Sequence, residues 1–114
     1  MDPLKLAHTI VDALEEKKGE KIILLDIQKV ASFTDYFVIC TGTSDRMLDA
    51  LAKGVEEKVR AEHHKKGRKE GAGVAGWEVI DFGSVIVHLF APEQRNFYKL
   101  EELWNEGKVL LRLQ

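Results

Sequence analysis

One cysteine is too few for a disulfide within the chain, so the crosslinked frameworks of small secreted domains are excluded. Cys40 lies in an apolar run, which favours a buried, reduced thiol and a reducing compartment. Proline occurs twice, and both copies, Pro3 and Pro92, stand where a fixed φ suits the first turn of a helix. No apolar stretch is long enough to span a membrane, and the N-terminal MDPLKLAH holds no continuous apolar leader. The expectation is a cytoplasmic protein without signal or transit peptide and without membrane association. Charge of one sign is also lacking. A formal net charge of −2 argues against a dedicated nucleic-acid binder, though not against a protein partner that sits among RNA.

What is present describes an ordinary globular chain. Hydrophobic residues make up 45% and charged residues 32%, which argues against a disordered chain. A chain of 114 residues buries about two-thirds of its unfolded surface, enough for its own core. No repeat, low-complexity segment or dividing linker appears, so residues 1–114 are expected to form one domain.

The chain is organised around residues 76–104, GWEVIDFGSVIVHLFAPEQRNFYKLEELW. Residues 77–82 alternate apolar and polar, and 85–90 are β-branched and apolar, so both predict strands joined by a Gly83-Ser84 turn. A third helix follows Pro92, with Phe97, Leu100, Leu103 and Trp104 on one face. The pleat sorts the hairpin into two faces. Ile80, Phe82, Val85, Val87 and Leu89, with Glu78 at the end, form a core face. Trp77, Val79, Asp81, Ile86, His88 and Phe90 form the other, whose mixed composition suits a recognition surface or polar pocket. It equally suits a second core face under a helix, with His88 hydrogen-bonded to Asp81.

Elsewhere, Asp2-Pro3 opens a helix with Leu6, Ile10, Val11 and Leu14 on its apolar face, ended by Gly19. Residues 21–27 predict a buried strand, 28–35 a polar connector interrupted by Val30 and Phe33, and 36–41 a second strand. Thr43-Ser44-Asp45 opens a long helix with the stripe Met47, Leu48, Leu51, Val55 and Val59, ending near His63-His64. The basic run 63–69 and the glycines up to Gly73 predict a mobile loop, solvated or brushing RNA. Residues 108–113 suit either a short edge strand or a packed tail. The fold class expected is α/β, a mixed β-sheet flanked by helices. The 36–41 strand, the long helix and the 77–82 strand are expected to form a right-handed parallel crossover.

The chemistry of the chain points away from catalysis. Thr41-Gly42-Thr43-Ser44-Asp45 joins strand to helix, but without the lysine of a P-loop or the spaced glycines of a dinucleotide site it reads as an N-cap. Nucleotidyl or phosphoryl transfer needs converging carboxylates on a metal, and Asp81 stands alone on its face with Glu78 on the other. Asp81 and His88 suit structural pairing better than a dyad, since Ser84 sits in the turn without a nucleophile's geometry. Cys40 has no cationic sequence neighbour, and His63-His64 lack further ligands at metal-binding spacing.

Several motifs occur in a specific order. They are Asp35-Tyr36-Phe37-Val38-Ile39 with Gly42 and Ser44 behind it, Gly76-Trp77, Asp81-Phe82-Gly83, Val87-His88-Leu89-Phe90, and Arg95-Asn96-Phe97-Tyr98-Lys99-Leu100-Glu101-Glu102-Leu103-Trp104. In this the chain resembles the ribosomal silencing factor family, also called Iojap-like, over nearly its whole length; residues 105–114 carry least of the resemblance. The resemblance implies a nucleotidyltransferase-like fold without the catalytic acids, and a bacterial or organellar, non-enzymatic factor without cofactor or metal; with no organellar targeting extension seen, a bacterial member is the expectation. It further implies binding to the large ribosomal subunit through its protein uL14, with at most minor rRNA contact. Joining of the small subunit is then blocked and translation repressed when nutrients are scarce. A homodimer is implied for the free protein. The alternative class is a nucleotide-binding or nucleotidyltransferase-type enzyme of the same fold. The residues expected to meet the ribosomal protein are Tyr36, Trp77, His88, Arg95 and Tyr98, with Asp81 orienting His88, and Arg95 and Tyr98 sharing an exposed helix face.

Overall fold

The computed structural model describes residues 2–71, 73, 75–104 and 106–114. In chain order the elements are α1 (Pro3–Glu16), β1 (Glu20–Asp26), β2 (Tyr36–Thr41), α2 (Asp45–His63), β3 (Arg68–Gly71), β4 (Trp77–Asp81), β5 (Val85–Phe90), α3 (Pro92–Tyr98), α4 (Leu100–Leu103) and β6 (Lys108–Leu113). The strands form one mixed sheet in the order β3-β4-β5-β2-β1-β6, as the expected α/β class requires. Only β2 and β5 run parallel; the other neighbouring pairs are antiparallel.

Local signals account for the helix starts. Asp2 Oδ1 accepts from the amide of Leu4, with Pro3 in the first helical position of α1. Ser44 caps α2 by accepting from the amide of Met47, so the 41–45 segment works as a helix cap. At the other end of α1 the left-handed residue is Lys18, φ 62°, not Gly19.

The sheet separates two cores, and strand alternation assigns each buried strand side chain to one of them. Ile22, Leu24, Val38, Cys40, Val85, Val87 and Leu89 face the larger core, completed by Leu6, Ile10 and Leu14 of α1 and Leu48, Leu51, Val55 and Val59 of α2. Ile23, Leu25, Phe37, Ile39 and Phe90 face the opposite way, where Ile27, Val30 and Ala31 after β1 and Tyr98, Leu100 and Trp104 of the short α3–α4 region pack against them. The hairpin faces are sorted as its alternation dictates: Ile80, Phe82, Val85, Val87 and Leu89 belong to the larger core, and Trp77, Ile86 and Phe90 to the smaller. Each fully buried aliphatic side chain contributes about 1.5–3 kcal/mol, so the two-helix face carries most of the stability.

Four expectations are corrected. The parallel partner of β2 is β5, not β4. β5 is buried on both faces and belongs mid-sheet, whereas most of β4 is half-exposed and takes the next position out. Arg68–Gly71 is a strand, not part of a mobile loop; it pairs with β4 as an edge whose side chains are all exposed. Ala72, also in that expected loop, lies outside the described residues. Residues 92–103 are not one helix: Lys99 takes a left-handed conformation, φ 46°, and turns the chain between α3 and α4. That turn brings Leu100 onto the sheet and leaves Phe97 and Leu103, expected to share one helix face with it, 79% and 71% exposed. Finally, Asp81 does not reach His88. Its carboxylate accepts from the amide of Gly83 at 2.7 Å and from Arg68 Nη2 at 3.4 Å. A backbone amide and a guanidinium hold the carboxylate at the turn, away from the aromatic interior.

Of the two shapes open to residues 108–113, the edge strand is the one formed, paired antiparallel with β1.

Candidate interaction surface

The thinly covered side of the sheet carries a chain of aromatic contacts. It starts at Phe33, a lone aromatic in the polar 28–35 connector, and Phe33 lies 6.0 Å from Phe37 of β2 and 5.9 Å from Trp104. Phe37 meets His88 of β5 edge-on at 4.6 Å. His88 stands beside Trp77 of β4 at 6.1 Å, and Trp77 touches Tyr98 of α3 at 4.8 Å. Tyr98 meets Phe97 at 4.9 Å, so the seam crosses from the connector over three strands to α3. Contacts of this geometry contribute about 0.5–1.5 kcal/mol each beyond the area they bury, which makes the seam one packed unit.

Its outer parts meet water. Phe33 is 57% exposed, Phe97 and Leu103 more so, and Trp77, Val79, Ile86, Tyr98 and Trp104 are half-buried. Contiguous apolar exposure of this kind marks an interaction site more often than it marks idle surface.

Local backbone features place Trp77 at the centre. Gly76 has φ 82°, and its carbonyl accepts from the amide of Ala91 at 2.7 Å. That positive φ is what calls for glycine, and an added Cβ would also lie 3.0 Å from Ala91 Cβ, whereas the flexible Gln94 side chain could move aside. Trp77 opposes Phe90 in the β4–β5 ladder and stacks on it at 4.9 Å. The hairpin itself closes through Gly83, φ 88°, with the amide of Phe82 donating to the carbonyl of Val85.

His88 is 7% exposed and packed among Phe37, Trp77 and Phe90. Burial lowers its pKa from the ordinary 6.5 to about 4, so the ring is neutral at physiological pH. Trp77 Nε1 donates to its Nδ1 at 3.2 Å. The tryptophan therefore holds the place expected for Asp81.

The remaining expected residues divide. Tyr98 joins the seam. Asp81 shares the Trp77 side of β4 but is occupied at the turn. Tyr36 is buried toward the larger core, and its hydroxyl accepts from Gln28 Nε2 at 3.2 Å. Arg95, expected to be exposed beside Tyr98, is 6% exposed. It donates to Thr41 Oγ1 at 2.9 Å and to Glu101 at 3.0 Å. Its charge is satisfied inward, and that is why burial is tolerated.

Phe33, Phe97 and Trp104 are the seam members, and Leu103 an exposed apolar residue beyond them in sequence, that sequence periodicity did not single out as surface. An isolated phenylalanine in a polar connector was the available signal for Phe33. For Phe97 and Leu103 the signal was masked by the helical spacing they share with Leu100.

Burial raises the Cys40 thiol pKa to about 12, which leaves it protonated and unreactive. Among the described residues no three His, Cys, Asp or Glu side chains converge as a metal site, and no helix is long and apolar enough to cross a membrane.

Comparison with known proteins gives the arrangement its context. The family described as "Ribosomal silencing factor during starvation" matches residues 1–113. The chain is 34% identical over 97 residues to "Ribosomal silencing factor RsfS" of Bacillus subtilis (strain 168), covering 85% of this chain and 82% of that protein. It is 37% identical over 101 residues to "Mitochondrial assembly of ribosomal large subunit protein 1" of Mus musculus, covering 83% of this chain and 43% of that protein. A crystal structure of a Chromobacterium violaceum protein superposes with a TM-score of 0.85 at 34% identity, covering 92% of this chain and 88% of that one.

Proposed function

The chain belongs to the ribosomal silencing factor family, and on that premise we propose that it represses translation by binding the large ribosomal subunit and keeping the small subunit from joining. The contact is with large-subunit protein uL14, and the action is steric. The observation that carries this reading is the half-exposed aromatic seam centred on Trp77. A few aromatic anchors in a packed patch supply most of the energy of a typical interface. The formal charge of −2 favours a basic ribosomal protein over bare RNA as the main partner and speeds encounter with it.

Relative to the expected site, the proposed one keeps Trp77 and Tyr98, with His88 buried beneath them, and adds Phe33, Phe97 and the exposed Leu103. Tyr36 and Arg95 act from inside the fold, and Asp81 supports the turn. The protein so read works in the cytoplasm, without cofactor and without turnover.

The test is direct. Subunits are held apart at low magnesium, mixed with the protein, raised to joining conditions and separated on a sucrose gradient. The expected result is free subunits, with the protein travelling with the large one. Unimpeded joining, or sedimentation with the small subunit alone, overturns the reading. Nucleoside triphosphate with magnesium is expected to leave the melting temperature unchanged, since a ligand that binds the native state would raise it.

A further inference from the structure

Trp77 is the centre of the seam, and its indole is held on three sides. Phe90 stacks beneath it at 4.9 Å with 29° between the rings, Tyr98 leans on it at 4.8 Å, and His88 Nδ1 accepts its only N–H at 3.2 Å. The strand ladder sets up the last contact. Val79 lies directly opposite His88, and Trp77 lies opposite Phe90, so Trp77 and His88 are diagonal neighbours on one face.

The chemistry of the two rings settles the proton. An indole N–H can only donate, so Nδ1 must present a lone pair, and the neutral ring then carries its proton on Nε2. Nε2 is buried and has no hydrogen-bond acceptor among the described residues. A buried donor without an acceptor is unfavourable, and a phenylalanine or leucine at this position would avoid the penalty altogether. Filling space therefore does not account for a histidine here. The acceptor it offers Trp77 does.

We propose that His88 is a positioning residue for Trp77: its Nδ1 lone pair locks the half-exposed indole in the orientation that the partner meets, and the imidazole itself stays beneath the contact surface. The proposal rests on the reading of the seam as the ribosome-binding surface. Its physical basis is pre-organisation. A side chain already immobilised has no ordering penalty to meet on binding, and releasing one such side chain weakens binding about two- to tenfold.

Two substitutions separate the acceptor from the ring. His88→Phe keeps the ring and removes the lone pair; His88→Asn places a carbonyl oxygen near the position of Nδ1. Affinity for purified large subunits is measured for both, alone and combined with Trp77→Phe, and the Trp77 indole N–H resonance of nitrogen-15-labelled protein is measured for each alone. His88→Phe is expected to shift the indole resonance and weaken binding about two- to tenfold. His88→Asn is expected to bind within about twofold of wild type with the resonance in place. On the Trp77→Phe background His88→Phe is expected to change nothing further, because the donor is gone.

An equal loss on both backgrounds means that His88 acts independently of Trp77, and the proposal fails. An unchanged indole resonance in His88→Phe also sinks it. If His88→Phe does not fold, the same cycle is run with His88→Leu, read by the same criteria. Failure of wild-type protein to bind large subunits at all overturns the reading of the seam instead, while the indole resonance still reports whether His88 holds Trp77.

Discussion

Arg95 Nη1 donates to Thr41 Oγ1 at 2.9 Å, a bond that ties α3 to the end of β2 across 54 positions of sequence. The same guanidinium donates through Nε to both carboxylate oxygens of Glu101, at 3.3 and 3.0 Å, and so also fastens the turn into α4. Arg95→Ala is therefore expected to destabilise the fold by about 2–3 kcal/mol, through a broken buried pair and a hydroxyl left without its donor. Glu101 retains some exposure and can turn to water, which keeps the loss below that of a fully enclosed pair. Urea unfolding measures it. A midpoint equal to wild type would show that the α3–α4 segment is held by other means. Loss of ribosome binding in an Arg95 variant is to be read first as loss of structure.

Lys99 sits in the left-handed region at φ 46°, where a side chain is strained by about 1–2 kcal/mol. Glycine relieves the strain and returns about 0.5–1 kcal/mol as extra freedom of the unfolded chain. Lys99→Gly is expected to stabilise the protein by about 0.5–1 kcal/mol, seen as a higher urea midpoint. The Lys99–Glu102 pair that it removes is exposed and 3.9 Å apart, and such pairs contribute little. A lower midpoint would contradict the strain argument.

Phe97 and Leu103 are mostly exposed, so Phe97→Ser and Leu103→Ser are expected to melt within about 0.5 kcal/mol of wild type. If the seam is the docking surface, both weaken binding to large subunits, and Trp77→Ala weakens it more than about tenfold. The same patch is expected to let the free protein pair with itself. Sedimentation at tens of micromolar, roughly, should show a dimer, and Phe97→Ser should shift it toward monomer. Phe90, on the same hairpin face as Trp77 and Ile86, is wholly buried and takes no part. Normal ribosome binding by both serine variants would remove α3 and α4 from the contact.

Burial holds the pKa of His88 at about 4 against an ordinary 6.5. The unfolded chain therefore binds a proton at this site between those values and the native state does not, so stability rises with pH there. The contribution is complete above about pH 6.5 and is lost as pH falls toward about 4, to a total of about 3 kcal/mol. The imidazole's ring neighbours, Phe37, Trp77 and Phe90, carry no charge, and desolvation alone produces the shift. The difference in unfolding free energy between wild type and His88→Phe, measured from pH 7 to pH 4, isolates the effect from the other three histidines. A difference that does not change with pH would mean that water reaches the ring.

Alternation of side chains along 77–82 and 85–90 was enough, by itself, to sort the hairpin's faces, because a strand's Cβ atoms point to opposite sides whatever the strand pairs with. The caps at Asp2 and Ser44 were equally plain, since each satisfies backbone amides only a few residues away. Motif order and spacing pointed to the family that the comparisons then showed. Other features depend on distant parts of the chain. β3 has no apolar pattern to read: its side chains are all exposed, and it exists because the edge of β4 offers it backbone partners. The choice of β5 over β4 beside β2 turned on which strand could be buried on both faces. Helical spacing placed Phe97 and Leu103 inside, and the backbone turn at Lys99 put them outside. Arg95 lies inside because Thr41 and Glu101 meet its charge there, and His88 faces Trp77 because Asp81 is drawn to Gly83 and Arg68. Burial of a polar group is decided by the partners that folding brings to it, and those partners are not its neighbours in sequence.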